Sequence, residues 1–87
     1  MKTMAFDENA FEKVLTITGA EHIYIIWRFR QSYFIARRAK GGNFDYHLRS
    51  MYNGRASWCI PFVSARFYKT VKKAQAIVEQ IEKNREA

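Results

Sequence analysis

Residues 22–30 read His22-Ile23-Tyr24-Ile25-Ile26-Trp27-Arg28-Phe29-Arg30, and the period of this stretch decides the fold class. Ile23, Ile25, Trp27 and Phe29 alternate with Tyr24, Ile26, Arg28 and Arg30. Side chains two residues apart share one face of an extended chain, so the stretch reads as a β-strand with one strongly apolar face. A short Arg30-Gln31-Ser32 turn leads to a second strand over Tyr33 to Lys40, and Lys40-Gly41-Gly42-Asn43 forms the next turn. In the third strand Phe44, Tyr46 and Leu48 alternate with Asp45, His47 and Arg49.

The turn at Asn53-Gly54 admits two registers. A two-residue loop pairs Tyr52 with Arg55 and puts Trp58, Ile60 and Phe62 on the face of Asp45, His47 and Arg49. A three-residue loop, with Gly54 as a bulge, pairs Met51 with Arg55 and sets Leu48 opposite Trp58, Tyr46 opposite Ile60 and Phe44 opposite Phe62. Register follows the buried pattern, which favours the bulged loop. With the preceding hairpin closed by Gly41-Gly42, Leu48 also lies beside Ile35, Tyr46 beside Arg37 and Phe44 beside Ala39. Pro61 cannot donate to a ladder, so the fourth strand is an edge there or ends there.

Helices are expected at both flanks. Asp7 or Asn9 can cap a first helix over 8–18, with Glu12 completing a capping box and Phe6, Ala10, Phe11, Val14 and Leu15 as its apolar stripe. Gly19 is its stop. Thr70 is a good N-cap for a last helix running to about Lys83, with Val71, Ala74, Ile77, Val78 and Ile81 on one face. The expected fold is therefore α+β in one domain over 1–87: a four-stranded antiparallel meander in the order α-β-β-β-β-α, its apolar face covered by both helices.

Composition bounds the function. Hydrophobic residues make up 48% and aromatics 16% of 87 residues, which suits a small aromatic-rich core and not a disordered basic tail. Cys59 is the only cysteine, so neither an internal disulfide nor a cysteine zinc site can form, and a reducing cytoplasm is the expected setting. The start carries acids immediately and lacks the apolar run of a signal peptide. No stretch approaches the ~20 apolar residues of a membrane span.

The net charge of +7 is unevenly placed. Residues 1–21 hold four acids and two lysines, and residues 74–87 hold three acids and two bases. Residues 22–73 hold eleven bases and one acid, Asp45. So lopsided a middle repels itself unless an anion is near.

Two groups of candidates follow. Arg66, Lys69, Lys72 and Lys73 surround the start of the last helix, where free backbone N–H groups and the dipole already favour anions. Arg28, Arg30, Arg37, Arg38 and Arg49 interleave with aromatics on the strands, a pattern suited to phosphate contacts and base stacking. Tyr24, Tyr33 and Tyr52 are the expected exposed stacking residues. No catalytic group, metal site or cofactor motif stands out. His22 and His47 lack metal spacing, His47 with Asp45 two residues away would be the one acid–base pair to consider, and Cys59 reads as a core thiol.

The segment Phe67-Tyr68-Lys69-Thr70-Val71-Lys72-Lys73-Ala74-Gln75-Ala76 resembles the strand-to-helix junction of double-stranded-RNA-binding domains, whose basic helix start meets phosphates. It also resembles that of plant-type and integrase-type three-stranded DNA-binding domains. The resemblance extends over no more than about twenty residues. It departs from the first family in the order of residues after Lys73 and in the fourth strand. What it implies is a nucleic-acid partner, RNA or DNA. The competing expectation is a small inhibitor or adaptor of phage or mobile-element type that docks on an acidic or nucleic-acid-binding protein complex.

Overall fold

The computed structural model describes residues 11–85. Among these residues five strands, β1 (Phe11–Thr18), β2 (His22–Phe29), β3 (Ser32–Ala39), β4 (Asp45–Tyr52) and β5 (Arg55–Cys59), precede a 3-10 turn (Phe62–Ser64) and a helix, α1 (Val71–Arg85). The strands form one antiparallel sheet in sequence order. The antiparallel α+β meander is as expected, with a fifth strand and, among the described residues, one helix fewer.

Phe11–Thr18 is a strand where a helix was expected; the proposed cap residues Asp7 and Asn9, with Phe6 and Ala10, lie outside the described residues. Four of the five residues from Val14 to Thr18 are β-branched, which disfavours helix and suits a pleated surface. The helix-like spacing of Phe11 and Leu15 has another cause. A β-bulge between Lys13 and Leu15 shifts the register, so Phe11 joins the aromatic cluster on one side of the sheet while Leu15 and Ile17 pack on the other.

The β2–β3 loop is one residue shorter than the expected turn. Phe29 pairs with Ser32 and Ile26 with Ile35, with Arg30 in the left-handed region at φ 61°. A one-residue change in register turns a strand over. The helix therefore covers the Tyr24–Ile26 side of β2, not the side of Ile25 and Trp27.

At the β4–β5 hairpin Leu48 does pair with Trp58, but the extra residue sits in the strand. Asn53 and Gly54 both have positive φ and form a two-residue loop closing Tyr52 on Arg55, with the register shift placed between Leu48 and Ser50. β5 ends at Cys59, two residues before Pro61. Phe62 falls in the 3-10 turn, not opposite Phe44.

The main core lies between the sheet and α1. Tyr24, Ile26, Ile35 and Leu48 are buried against Ala74, Val78 and Ile81 of the helix. Thr70 caps α1, its Oγ1 accepting from the Lys73 N–H at 3.1 Å. At the other end the Glu82 carboxylate accepts from the Tyr24 hydroxyl at 2.7 Å and from the Ala20 N–H at 3.2 Å. Asn84 donates to the Gly54 carbonyl at 2.8 Å. The helix is thus tied to the β1–β2 and β4–β5 turns. A smaller cluster of Phe11, Phe34 and Ala65, with Trp27 and Phe29 against it, occupies the opposite face.

Candidate functional site

The edge of β3 is shared between two neighbours. β4 pairs with it only over Ala36–Arg38. Nearer the β2–β3 turn, Tyr33 and Tyr68 exchange backbone hydrogen bonds of 2.8 and 2.7 Å. The Arg66 N–H donates to the Leu48 carbonyl at 2.8 Å, so the chain leading into α1 fills the gap where β4 leaves β3. That insertion brings the start of α1 to the β2–β3 turn.

Five exposed cations lie along the two segments that the bridge joins, the β2–β3 hairpin and the chain into α1. Arg30 lies at the hairpin tip, three residues from the bridged Tyr33. Arg66 and Lys69 flank the bridged Tyr68, and Lys72 and Lys73 occupy the first turn of α1, which carries no acid. The Arg66 guanidinium lies over the Tyr68 ring at 5.7 Å and that of Arg30 over Phe29 at 5.3 Å, so both charges rest on apolar platforms. Burial pushes the Tyr68 phenol upward, with Arg66 pulling it back. Among the described residues none of the five has an ion-pair partner. Arg28 lies beside them, opposite Tyr33, but its guanidinium is paired with Glu12 of β1.

The other predicted arginines go elsewhere, so one continuous site along the sheet is not formed. Arg37 and Arg38 are consecutive and emerge on opposite faces. Arg37 stacks over Trp58 at 4.0 Å on the helix side. Arg38 makes a two-point contact with Asp45 at 2.6 and 3.2 Å on the other side. Arg49 is exposed at the β4 bulge.

The stacking candidates also divide. Tyr24 is fully buried, and its hydroxyl is pushed up to about 12, first by burial and then by its bond to Glu82. It is a core residue, turned inward by the β2–β3 register. Tyr33 is half-buried against the core, and Tyr52 is 75% exposed at the far hairpin.

His47 and Asp45 share a face without forming a pair. Asp45 is held by Arg38, and His47 Nδ1 lies 2.7 Å from the Ile60 carbonyl, which can only accept, so Nδ1 is the donor. Cys59 is half-buried, its thiol pushed up by burial against a smaller pull from Arg49. Among the described residues no group of three or more metal-ligating side chains occurs, and no helix is long and apolar enough to cross a membrane.

One feature that the sequence did not reveal is a groove of about 510 Å³ on the face away from α1. Its lining includes Lys13, Ile25, Trp27, Phe44, His47 and Ile60. The signal was present in Trp27 and Ile25, but the register needed to place them on the face away from α1 was not. No family model matches the chain, and neither a curated protein nor a solved structure matches it.

Proposed function

We propose that the protein binds nucleic acid, gripping the phosphate backbone at the end of the molecule where the β2–β3 turn meets the start of α1. The observation that supports this reading is the Tyr33–Tyr68 bridge, which joins the hairpin that carries Arg30 to the segment that carries Arg66, Lys69, Lys72 and Lys73, none of them ion-paired among the described residues. Lysines in the first turn of a helix oppose its dipole and cost stability. That cost is offset when an anion binds, because backbone donors and ammonium groups then converge on it. Arginine adds planar, two-point contacts to phosphate. Arg37, Arg38 and Arg49 fall outside this grip, and a cytoplasmic setting goes with the reading.

The test compares two triple variants with the same change in net charge. Lys69→Glu/Lys72→Glu/Lys73→Glu removes the grip, whereas Lys40→Glu/Arg49→Glu/Arg55→Glu removes as much charge elsewhere. The first is expected to lower affinity for a mixed-sequence oligonucleotide far more than the second. Equal losses would mean that only net charge matters.

A second reading, docking on an acidic or nucleic-acid-binding protein complex, draws on the exposure of Phe44, Ile60 and Val63, at 52%, 56% and 69%. Co-purification of one stoichiometric protein after nuclease treatment, with no oligonucleotide binding by the purified chain, would favour it.

A further inference from the structure

A second groove, of about 330 Å³, opens on the helix side between β5 and the end of α1. One wall is held in place by a side chain of the helix. Asn84 donates to the Gly54 carbonyl at 2.8 Å. Gly54 is at φ 77°, and a β-carbon there would lie 3.0 Å from the Asn84 amide nitrogen. Ala56 and Ile81 supply apolar lining. Two arginines, Arg37 and Arg55, share that lining, and neither has an ion-pair partner among the described residues.

Arg37 is the half-buried member of the two. Its guanidinium packs on the Trp58 ring, 4.0 Å from the centroid. At that distance a planar guanidinium lies along the ring face, so its N–H donors point sideways and not into the ring. The Tyr24 hydroxyl beside it gives its own proton to Glu82. A half-buried cation with its fork of donors left open is one half of a two-point contact to a carboxylate.

We infer that this groove binds a small monocarboxylic acid, its carboxylate on Arg37 and Arg55 and its apolar body against Ala56 and Ile81. The inference goes beyond the phosphate grip and does not depend on it. The volume is at the lower end of the range for ligand pockets, about 300–1,000 Å³, which suits a single ring or a short chain. Glu82 stands behind Tyr24, so a doubly charged anion meets a repulsion that a single charge largely escapes. A phosphodiester backbone would bring no apolar body to Ala56 and Ile81. A neutral ring would leave the donors of Arg37 unmet.

Benzoate is the probe, with benzyl alcohol and inorganic phosphate as comparators. In a Trp27→Phe background Trp58 is the only indole, and its emission should change saturably with benzoate and with neither comparator. Calorimetric titration reads the arginine variants, because Arg37 touches the indole directly. Arg37→Gln should weaken benzoate binding roughly tenfold or more. Arg55→Gln, at the exposed rim, should weaken it about two- to fivefold, and Arg49→Gln, the same loss of charge elsewhere, should leave it unchanged. Arg37→Lys keeps the charge without the fork and should still lose most of the affinity. Circular dichroism establishes that each variant is folded. The inference is overturned by the absence of saturable benzoate binding, by equal affinity for either comparator, or by equal losses in Arg37→Gln and Arg49→Gln. Full affinity in Arg37→Lys would overturn the two-point contact. Saturating benzoate should affect oligonucleotide binding no more than the same concentration of chloride does. Competition beyond that would merge the two sites and overturn their separation, whereas oligonucleotide binding that fails by itself removes the phosphate grip and leaves this groove standing.

Discussion

The two faces of the sheet are built from similar residues and finished differently. On the helix side, Tyr24, Ile26, Ile35 and Leu48 are sealed by Ala74, Val78 and Ile81, and the polar hydroxyl of Tyr24 is satisfied by Glu82. On the other side, Phe34 and Ala65 are buried with Phe11, and Phe67 closes over Phe34 at 5.5 Å between ring centroids. A groove lies on that face, with Trp27 and His47 in its lining. A single helix covers one face of a small sheet; the other is closed by shorter segments. The first face is closed by a continuous helix, and the second by short segments and aromatic contacts. The cations sit at the end where the two faces meet the start of α1.

Substitutions can break this contrast, and the largest effect is expected in the sealed core. Ile35→Ala deletes a fully buried side chain packed against the helix and should cost about 2–5 kcal/mol. Phe44→Ala at the half-exposed groove wall should cost well under half as much, although the ring is larger. Urea denaturation of both variants checks the pair, and equal losses would mean that the faces are not different in kind.

The next effect is read in alkali. The Tyr24 pKa is raised to about 12 in the folded protein, against about 10 in an unfolded chain. A raised value means that the folded state holds the proton more tightly. The contribution is therefore complete below about pH 10 and lost as pH rises through about 12. Tyr24→Phe should flatten the fall in stability across that window and cost about 1 kcal/mol at neutral pH for the lost hydrogen bond. An unchanged alkaline slope would contradict the assignment.

A smaller gain is expected at the hairpin tip. Arg30 holds φ 61°, a region that costs a side chain about 1 kcal/mol and glycine little. Arg30→Gly should raise stability by roughly that amount while weakening oligonucleotide binding. The smallest effect on stability belongs to Lys72→Glu, which should gain about 0.3–1 kcal/mol from the helix dipole. Stability and affinity moving in opposite directions would mark both residues as placed for a ligand.

Much of the sheet was legible in the alternation of residues 22–60, including the pairing of Leu48 with Trp58. What alternation alone left open was where an extra residue is absorbed. An insertion in the turn and a bulge at Arg49 give the same Leu48–Trp58 pair, and only the strand-borne bulge lets Asn53-Gly54 close as a two-residue loop. The bulge after Lys13 hid β1 in the same way, by giving a strand the spacing of a helix. Of the site, the cations about Thr70 were readable because local sequence places them on a helix start. The joining of their segment to the hairpin of Arg30 depends on the Tyr33–Tyr68 bridge between distant segments. Tyr24 was misplaced for the same reason as Trp27, a single residue of register in the β2–β3 loop.

The most direct test of the phosphate grip is the affinity of the purified protein for a mixed-sequence oligonucleotide, followed as salt is raised. Each phosphate contact contributes close to one unit to the slope of log affinity against log salt, about 0.7 for a single strand. The five clustered cations predict a slope of about −3 to −4, reduced by about two in Lys69→Glu/Lys72→Glu/Lys73→Glu. A slope near zero, or one that the triple substitution leaves unchanged, would contradict the account.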